Sequence, residues 1–389
     1  GSLTYDIRMA AYEAGDANLA IPRLLVRQSR SGALGLGGEI LASGPLPGGS
    51  AQGLRLPVKG MYAQGELSLW EQCTQIGFEE LALASLSFDK QELTLCPAAG
   101  SSILRYGAGG LKIAAGTGSL DLSGKLGETP ITIASGPVGF AWPGTMTAER
   151  LDIALGPPQD ASRFTVSNVT GRFGDDIGGR FEGADIQLAS VPMDMRDAKG
   201  AWTYEKGRVE IGDGAFTLVD REQVPRFNPL TASGARLSLE DNVILADAVL
   251  RELASGFAVT DVHVRHDLET SAGHADLDVR ALTFGPNLQP DDLTDNALGV
   301  VANVEGTITG TGRIDWSASG EITSTGSFSS DSLDFAAAFG VVEGASGTVN
   351  FTDLVGLTTA PDQHIRMKMV NPGIEIFDGE MAFSLTDGE

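Results

Sequence analysis

The sequence predicts a mostly-β fold with a few short helices, built as a long sheet that is apolar on one face and polar on the other. Three observations predict it. Gly numbers 51 among 389 residues and aromatics make up only 6%, a composition suited to short strands punctuated by turns. Apolar and polar residues alternate with period two in run after run. Helical spacing is confined to a few short stretches.

The runs follow one another along the chain as Leu120-Asp121-Leu122, Leu151-Asp152-Ile153-Ala154-Leu155, Ile186-Gln187-Leu188, Val209-Glu210-Ile211, Phe216-Thr217-Leu218 and Leu237-Ser238-Leu239. Further on come Leu277-Asp278-Val279, Ile314-Asp315-Trp316, Val349-Asn350-Phe351, Ile365-Arg366-Met367-Lys368-Met369, Ile374-Glu375-Ile376 and Met381-Ala382-Phe383-Ser384-Leu385. Successive strand side chains point to opposite faces, so each run puts its large apolar residues on one side. The helical stretches are Asp291 to Leu298, where Asp residues precede a brief apolar segment, and Ser332 to Phe339, where Leu333, Ala336, Ala337 and Phe339 stand at helix-like spacing. Glu240 to Leu253 fits either period and is read as strand. No strict repeat occurs. Pro45 to Pro57, Pro157-Pro158 and Pro286 to Pro290 are the best breaks, and the chain is divided accordingly into segments 1–150, 151–285 and 286–389.

Lys+Arg is 27 against Asp+Glu 51, a net charge of −24. Such a field repels the phosphate backbone and excludes nucleic acid as a partner. It also disfavours spreading over an anionic membrane, while leaving an apolar groove free to take lipids one at a time. Solubility alone is the plain explanation of the charge. No run approaches the ~20 apolar residues of a membrane span. Gly1-Ser2 and the ending Asp387-Gly388-Glu389 read as a piece cut from a longer protein.

Two cysteines, Cys73 and Cys96, each flank an apolar alternating run that a hairpin could bring together. A bridge would stabilise by roughly 3 kcal/mol on the chain-entropy estimate and imply an oxidising compartment. The alternative is two separate buried thiols.

Catalytic and cofactor motifs are wanting, and the chain is expected to be non-enzymatic and free of cofactor and metal. No G-x-S-x-G, P-loop, H-E-x-x-H or EF-hand pattern occurs. Gly107-Ala108-Gly109-Gly110 and Gly310-Thr311-Gly312 are incomplete dinucleotide loops and read as turns. His263 and His266 stand three apart on a strand, hence on opposite faces, which argues against shared metal ligation. The acidic stretch from Asp291 to Asp295 fits helix capping better than a Ca²⁺ loop. The sequons at Asn168 and Asn350 are unsurprising in a Thr-rich β-protein.

The most specific signal lies in the last hundred residues. Phe284-Gly285-Pro286-Asn287-Leu288-Gln289-Pro290-Asp291-Asp292-Leu293 leads into Val304-Glu305-Gly306, Gly312-Arg313-Ile314-Asp315-Trp316 and Thr325-Gly326-Ser327-Phe328. Ala338-Phe339-Gly340, Gly347-Thr348-Val349-Asn350-Phe351-Thr352-Asp353-Leu354, Leu357 to Gln363 and Pro372-Gly373-Ile374 follow. In that order they resemble the C-terminal region of YdbH-like proteins, the AsmA-like intermembrane phospholipid transport group, and Cys96-Pro97 resembles the cysteine region nearer that family's N-terminus. The resemblance implies an elongated, curled sheet forming an open hydrophobic groove, a β-taco. It further implies a Gram-negative periplasmic protein held in the inner membrane by an absent N-terminal anchor. Its partners would be phospholipid or another acyl-chain lipid and a small outer-membrane lipoprotein that continues the groove by strand addition.

On that resemblance the groove would be lined by Leu277, Val279, Ile314, Trp316, Val349, Phe351, Ile365, Met367, Met369, Ile374, Ile376, Met381 and Phe383. Alternation also describes the core of a closed sandwich, so a structural or adhesive β-protein with filled cores is the competing expectation. A glycan-processing enzyme would need paired carboxylates around an aromatic such as Trp142 or Trp202, and the sequence shows no such arrangement.

Overall fold

The computed structural model describes residues 3–46, 49–83, 85–174, 176–189 and 192–386. Gly1-Ser2, Pro47 within the first Pro-containing break, and Asp387 to Glu389 therefore lie outside the described residues. Among the described residues, 27 strands belong to one antiparallel sheet, and the mostly-β expectation holds. By contact density the chain divides into two units, Gly1–Ala184 with Ala201–Val209, and Asp185–Gly200 with Glu210–Glu389.

The first unit opens with four long strands, β1 (Leu3–Ala14), β2 (Ala17–Gln28), β3 (Leu34–Leu46) and β4 (Gly49–Ala63), each paired with the next. Pro57 sits inside β4 opposite Glu39 rather than in a loop. Eight short strands follow: β5 (Glu66–Leu69), β6 (Thr74–Leu83), β7 (Leu86–Leu95), β8 (Leu104–Gly107), β9 (Gly110–Thr117), β10 (Leu120–Leu126), β11 (Thr129–Ser135) and β12 (Val138–Trp142). The long β13 (Gly144–Leu155) and β14 (Ser162–Phe173) close the series.

The short strands form two lanes laid end to end between β4 and β13. One lane runs β4–β5–β8–β9–β12–β13 and the other β4–β6–β7–β10–β11–β13. Gly60 to Ala63 of β4 serves the first lane and Gly49 to Arg55 the second. A seam between lanes leaves backbone groups to be satisfied, and Cys96 meets part of that demand by exchanging two 2.8 Å backbone hydrogen bonds with Gly116 of β9. The disulfide expected from the sequence is formed here: Cys73 precedes β6, Cys96 follows β7, and their Sγ atoms are 2.02 Å apart. Gly107 and Gly110 close the β8–β9 hairpin, the turn expected of them.

Strands β15 (Ile177–Gln187), β16 (Met193–Glu205) and β17 (Arg208–Asp220) have residues in both units. The second unit continues with β18 (Leu230–Glu240), β19 (Val243–Glu252), β20 (Ala258–Asp267) and β21 (Ala272–Phe284), then α1 (Pro290–Leu293) and a 3₁₀ turn at Asp295–Ala297. After them come β22 (Val301–Trp316), β23 (Ile322–Ala337), β24 (Gly340–Asp353), β25 (Thr358–Thr359), β26 (Gln363–Asn371) and β27 (Ile376–Phe383). The helical expectation over Asp291 to Leu298 is thus met by α1 and the 3₁₀ turn, with the Asp292 carboxylate accepting from the Gln289 N–H at 2.8 Å. Glu240 to Leu253 is strand, as read.

Two expectations fail. Ser332 to Phe339 is not a helix: it continues β23 to Ala337, paired with β22 on one side and β24 on the other. Leu333, Phe335 and Ala337 keep period two there, with Asp334 exposed between them; the helix-like spacing comes from the run Ala336-Ala337-Ala338, which is apolar on both faces. Gly310 and Gly312 are not in a turn but inside β22, where a Cβ on Gly310 would meet Phe328 and one on Gly312 would meet Leu354. The absent side chains make room for neighbouring apolar ones.

Many long strands also carry a residue in the left-handed region in their interior, among them Gly53, Arg150, Gly183, Asp197, Asp213, Gly234, Asn303, Gly344 and Asp378. At Gly53, Gly234, Asn303 and Gly344 the pairing registers show an extra residue on that strand, a β-bulge. A bulge bends the strand and resets the alternation, so residues two before and one after it fall on the same face. Those positions include the most buried residues of the protein, among them Ala51 at 2%, Ala232 at 4%, Val304 at 2%, Val342 at 0% and Ala345 at 4% exposure. Each bend thus brings small side chains into close contact. Asp, Asn and Gly dominate the bulge positions because they tolerate the left-handed region best.

Candidate functional site

Residues directly opposite each other in neighbouring strands share a face of the sheet. The registers of the second unit place Val262, Leu277, Gly312, Gly326 and Phe351 in one such row, with Val264, Ala275, Ile314 and Ser324 in the next and His266, Gly273, Trp316 and Ile322 in a third. Val279, Gly310, Phe328 and Val349 form a fourth row on the same face. Through Gly347 the face passes to Ile365 and Met381, and from there to Met367 opposite Gly379 and Gln363 opposite Phe383. The sequence-predicted residues Leu277, Val279, Ile314, Trp316, Val349, Phe351, Ile365, Met367, Met381 and Phe383 therefore converge on a single face. Met369 also lies buried on β26, opposite Phe377. Ile376 begins β27 half-exposed opposite Val370, and Ile374 precedes the strand at 79% exposure, so neither lies within the converged set.

The opposite face carries the charges. Arg313 Nη1 donates to Asp276 at 2.8 Å and its Nε to Asp315 at 3.0 Å. Hydrogen bonds that it donates to Asp315 and then Asp276 hold the guanidinium above its already high ordinary pKa. Arg280 pairs with Asp278 and Asp261, His263 with Asp247 at 2.6 Å, and His364 with Glu380 at 3.3 Å. His266 stands on the apolar face instead, where its Nδ1 accepts from Trp316 Nε1 at 3.1 Å and burial holds its pKa below the usual value. The two histidines are thus on opposite faces, as expected. Among the described residues no group of His, Cys, Asp and Glu is placed to hold a metal ion.

Three apolar clusters occupy this face. One centres on Val279, Leu282, Phe284, Leu288 and Val304, a second on Leu230, Ala232 and Leu250, and a third on Val342, Ala345 and Met367. They are continuous: Leu333 and Phe335 pack against the first and third, and Leu293 of α1 packs against the first and second. Outside these clusters the face is only partly covered. Leu277, Ile314, Trp316, Val349, Phe351 and Phe383 are partly buried, as are Ile365 and Met381, which pack against the third cluster.

Total surface makes the same point. A compact chain of 40.5 kDa exposes about 14,500 Å², and two separate globules of half that mass about 17,500 Å². This chain exposes 22005 Å². A large share of what an ordinary core would hide remains accessible. Phe227 and Asn228, which reach this face from the β17–β18 connection, carry no sequence signal because Val224 to Pro229 is short, broken by two prolines and aperiodic.

The comparisons agree with this geometry. A family model described as YdbH-like, intermembrane phospholipid transport protein YdbH, matches residues 4–388. The chain belongs to the YdbH-like family. No curated protein and no solved structure matches it. The resemblance carried by the last hundred residues thus extends over nearly the whole chain. Membership of the YdbH-like family implies intermembrane phospholipid transport, which is not an enzyme class. Among the described residues no helix is long and apolar enough to cross a membrane.

Proposed function

We propose that this YdbH-like chain is a periplasmic conduit that moves phospholipid between the inner and outer membranes along the apolar face of its sheet. The observation that carries the reading is that face itself: ten predicted lining residues share it, yet only Val279 and Met367 are buried, while ion pairs crowd the other side. A closed structural core would bury them. Each acyl CH₂ kept from water is worth ~0.8 kcal/mol, so an accessible apolar track lowers the cost of leaving a bilayer. Each strand adds ~4.8 Å to the track, so reach grows with strand number. In this reading the segments 1–150, 151–285 and 286–389 are successive stretches of track. An N-terminal anchor ties the parent protein to the inner membrane, and an outer-membrane lipoprotein receives the cargo.

Site-specific photo-crosslinking tests the reading. A benzophenone side chain replacing Ile365 on the apolar face should capture phospholipid in cells, and one replacing its neighbour Arg366 on the polar face should not. Equal capture at both, or none at Ile365 together with protein purified free of lipid, would refute it.

A further inference from the structure

The connection from β21 to β22 departs from the pattern of the second unit. These strands are antiparallel neighbours paired as far as Phe284 and Gly306, and a turn of a few residues would join them. Instead residues 285–300 leave the sheet and form α1 and the 3₁₀ turn, the longest connection among the described residues. Connections of such length in a compact unit are generally functional.

This segment lies on the apolar face. Leu288 is 2% exposed within the first cluster, and Leu293 spans the first and second. Asp291, Asp292 and Asp295 are exposed on it, as are Leu298 and Val300 toward its end. Acyl chains following the face thus meet a strap whose Leu288 and Leu293 occupy the apolar floor and whose exposed carboxylates offer them no apolar contact.

The strap is held by few bonds. Gln289 accepts from the Val304 N–H at 2.8 Å and donates to the Val304 carbonyl at 2.8 Å, standing in for a strand partner beside the Asn303 bulge. Asn228 donates its backbone N–H to the Leu293 carbonyl at 2.7 Å and its side-chain amide to the carbonyls of Asp291 and Asp292 at 3.0 and 3.2 Å. Gly285 and Gly299 bracket the strap, and Gly299 has a φ of 76°. Such ends absorb large backbone rotations.

We propose that residues 285–300 form a displaceable gate on the lipid track, shut in this structure and opened by acyl chains that replace Leu288 and Leu293 on the floor. This inference rests on the conduit reading. A few hydrogen bonds and two leucines are a hold that an incoming acyl chain can match.

Joining position 228 to position 293 tests it, because the direct backbone hydrogen bond puts these positions within disulfide reach. The Asn228→Cys, Leu293→Cys variant should transfer fluorescent phospholipid between vesicles at least tenfold more slowly when oxidised than when reduced, with wild type in the same reductant as the control for Cys73–Cys96. Equal rates in the two states would overturn the gate. Hydrogen exchange on the wild type gives a second readout: amides of 286–298 should exchange about tenfold faster when phospholipid is loaded, and unchanged protection would also overturn it. A wild type that transfers lipid alongside an equally active locked variant sinks the gate alone. A wild type that neither binds nor transfers phospholipid sinks the conduit, and the gate with it.

Discussion

Replacing Cys73 and Cys96 together by alanine should loosen the first unit at one place, the seam between its two lanes. The cysteines are 23 residues apart in sequence. Closing a loop of that size removes unfolded-state entropy worth about 3.4 kcal/mol on the chain-entropy model. The backbone bonds of Cys96 with Gly116 persist without the sulfurs, so the lanes remain joined but less tightly. In urea, a slope of about 2–3 kcal/mol/M turns the loss into a midpoint lower by about 1–2 M. Equilibrium unfolding monitored by tryptophan emission should show that shift, and reduced wild type should match the variant. Hydrogen exchange should locate the loosening at the Thr74 and Leu95 ends of β6 and β7, which the bridge closes. A loss below about 1 kcal/mol, or those ends as protected as in wild type, would refute the account of the disulfide as a clip on the seam-facing end of this hairpin.

Two further predictions concern the second unit. The Asp220 carboxylate has no exposed side-chain surface and accepts from Arg226 Nε at 2.7 Å and Nη2 at 3.0 Å, and from the N–H groups of Arg226 and Glu222 at 2.8 and 3.1 Å. Asp220→Asn leaves Arg226 without its counter-charge and should cost about 3–5 kcal/mol, read from the thermal midpoint. Burial opposes the charge on Asp220, but the bonds from Arg226 and then Glu222 outweigh it and hold its pKa below the ordinary 3.8. Its contribution is therefore complete above the unfolded-state value near pH 4 and lost as pH falls through the lower folded value; an acid titration of stability should show this loss in wild type and not in Asp220→Asn. Gly344→Ala should cost about 1–2 kcal/mol, because φ is 62° there; an unchanged melting temperature would remove the left-handed bulge from the account of β24.

One-sidedness was legible in the sequence because period two is a direct consequence of strand geometry. Runs such as Ile314-Asp315-Trp316 and Ile365-Arg366-Met367 keep their faces through the whole register. Where small residues blurred the alternation, the sequence misled: after Leu333 the run Ala336-Ala337-Ala338 imitated a helix, and the glycines of β22 imitated a turn. The lanes between β4 and β13 were not legible either, since nothing local tells Leu104 to Gly107 to lie in line with a strand other than its sequence neighbour. The cysteine pair marked the place without revealing its topology. Leu293 belonged to the recognised C-terminal motif, but its contact with Leu230 and Leu250 is a tertiary fact that no periodicity encodes.

The breaks in alternation nevertheless carry a signal of their own. Ala51-Gln52-Gly53-Leu54, Ala148-Glu149-Arg150-Leu151, Met195-Arg196-Asp197-Ala198, Ala232-Ser233-Gly234-Ala235, Val301-Ala302-Asn303-Val304 and Val342-Glu343-Gly344-Ala345 share one plan: an apolar residue, a spacer, a residue at positive φ, then a second apolar residue. The chain has no strict repeat in identity, but this motif recurs in both units and coincides with a β-bulge at Gly53, Gly234, Asn303 and Gly344. Uninterrupted alternation makes a flat strand with one apolar face; the bulge bends it while keeping that face inward on both sides. Small residues at the inner corner permit the close approach, and the larger Leu, Ile, Met and Phe residues are left for the arms. Faces set by period two and bends set by the bulge are thus written in different residues, and a substitution can alter one without the other. That separation lets the apolar arms vary in sequence while the bend is maintained.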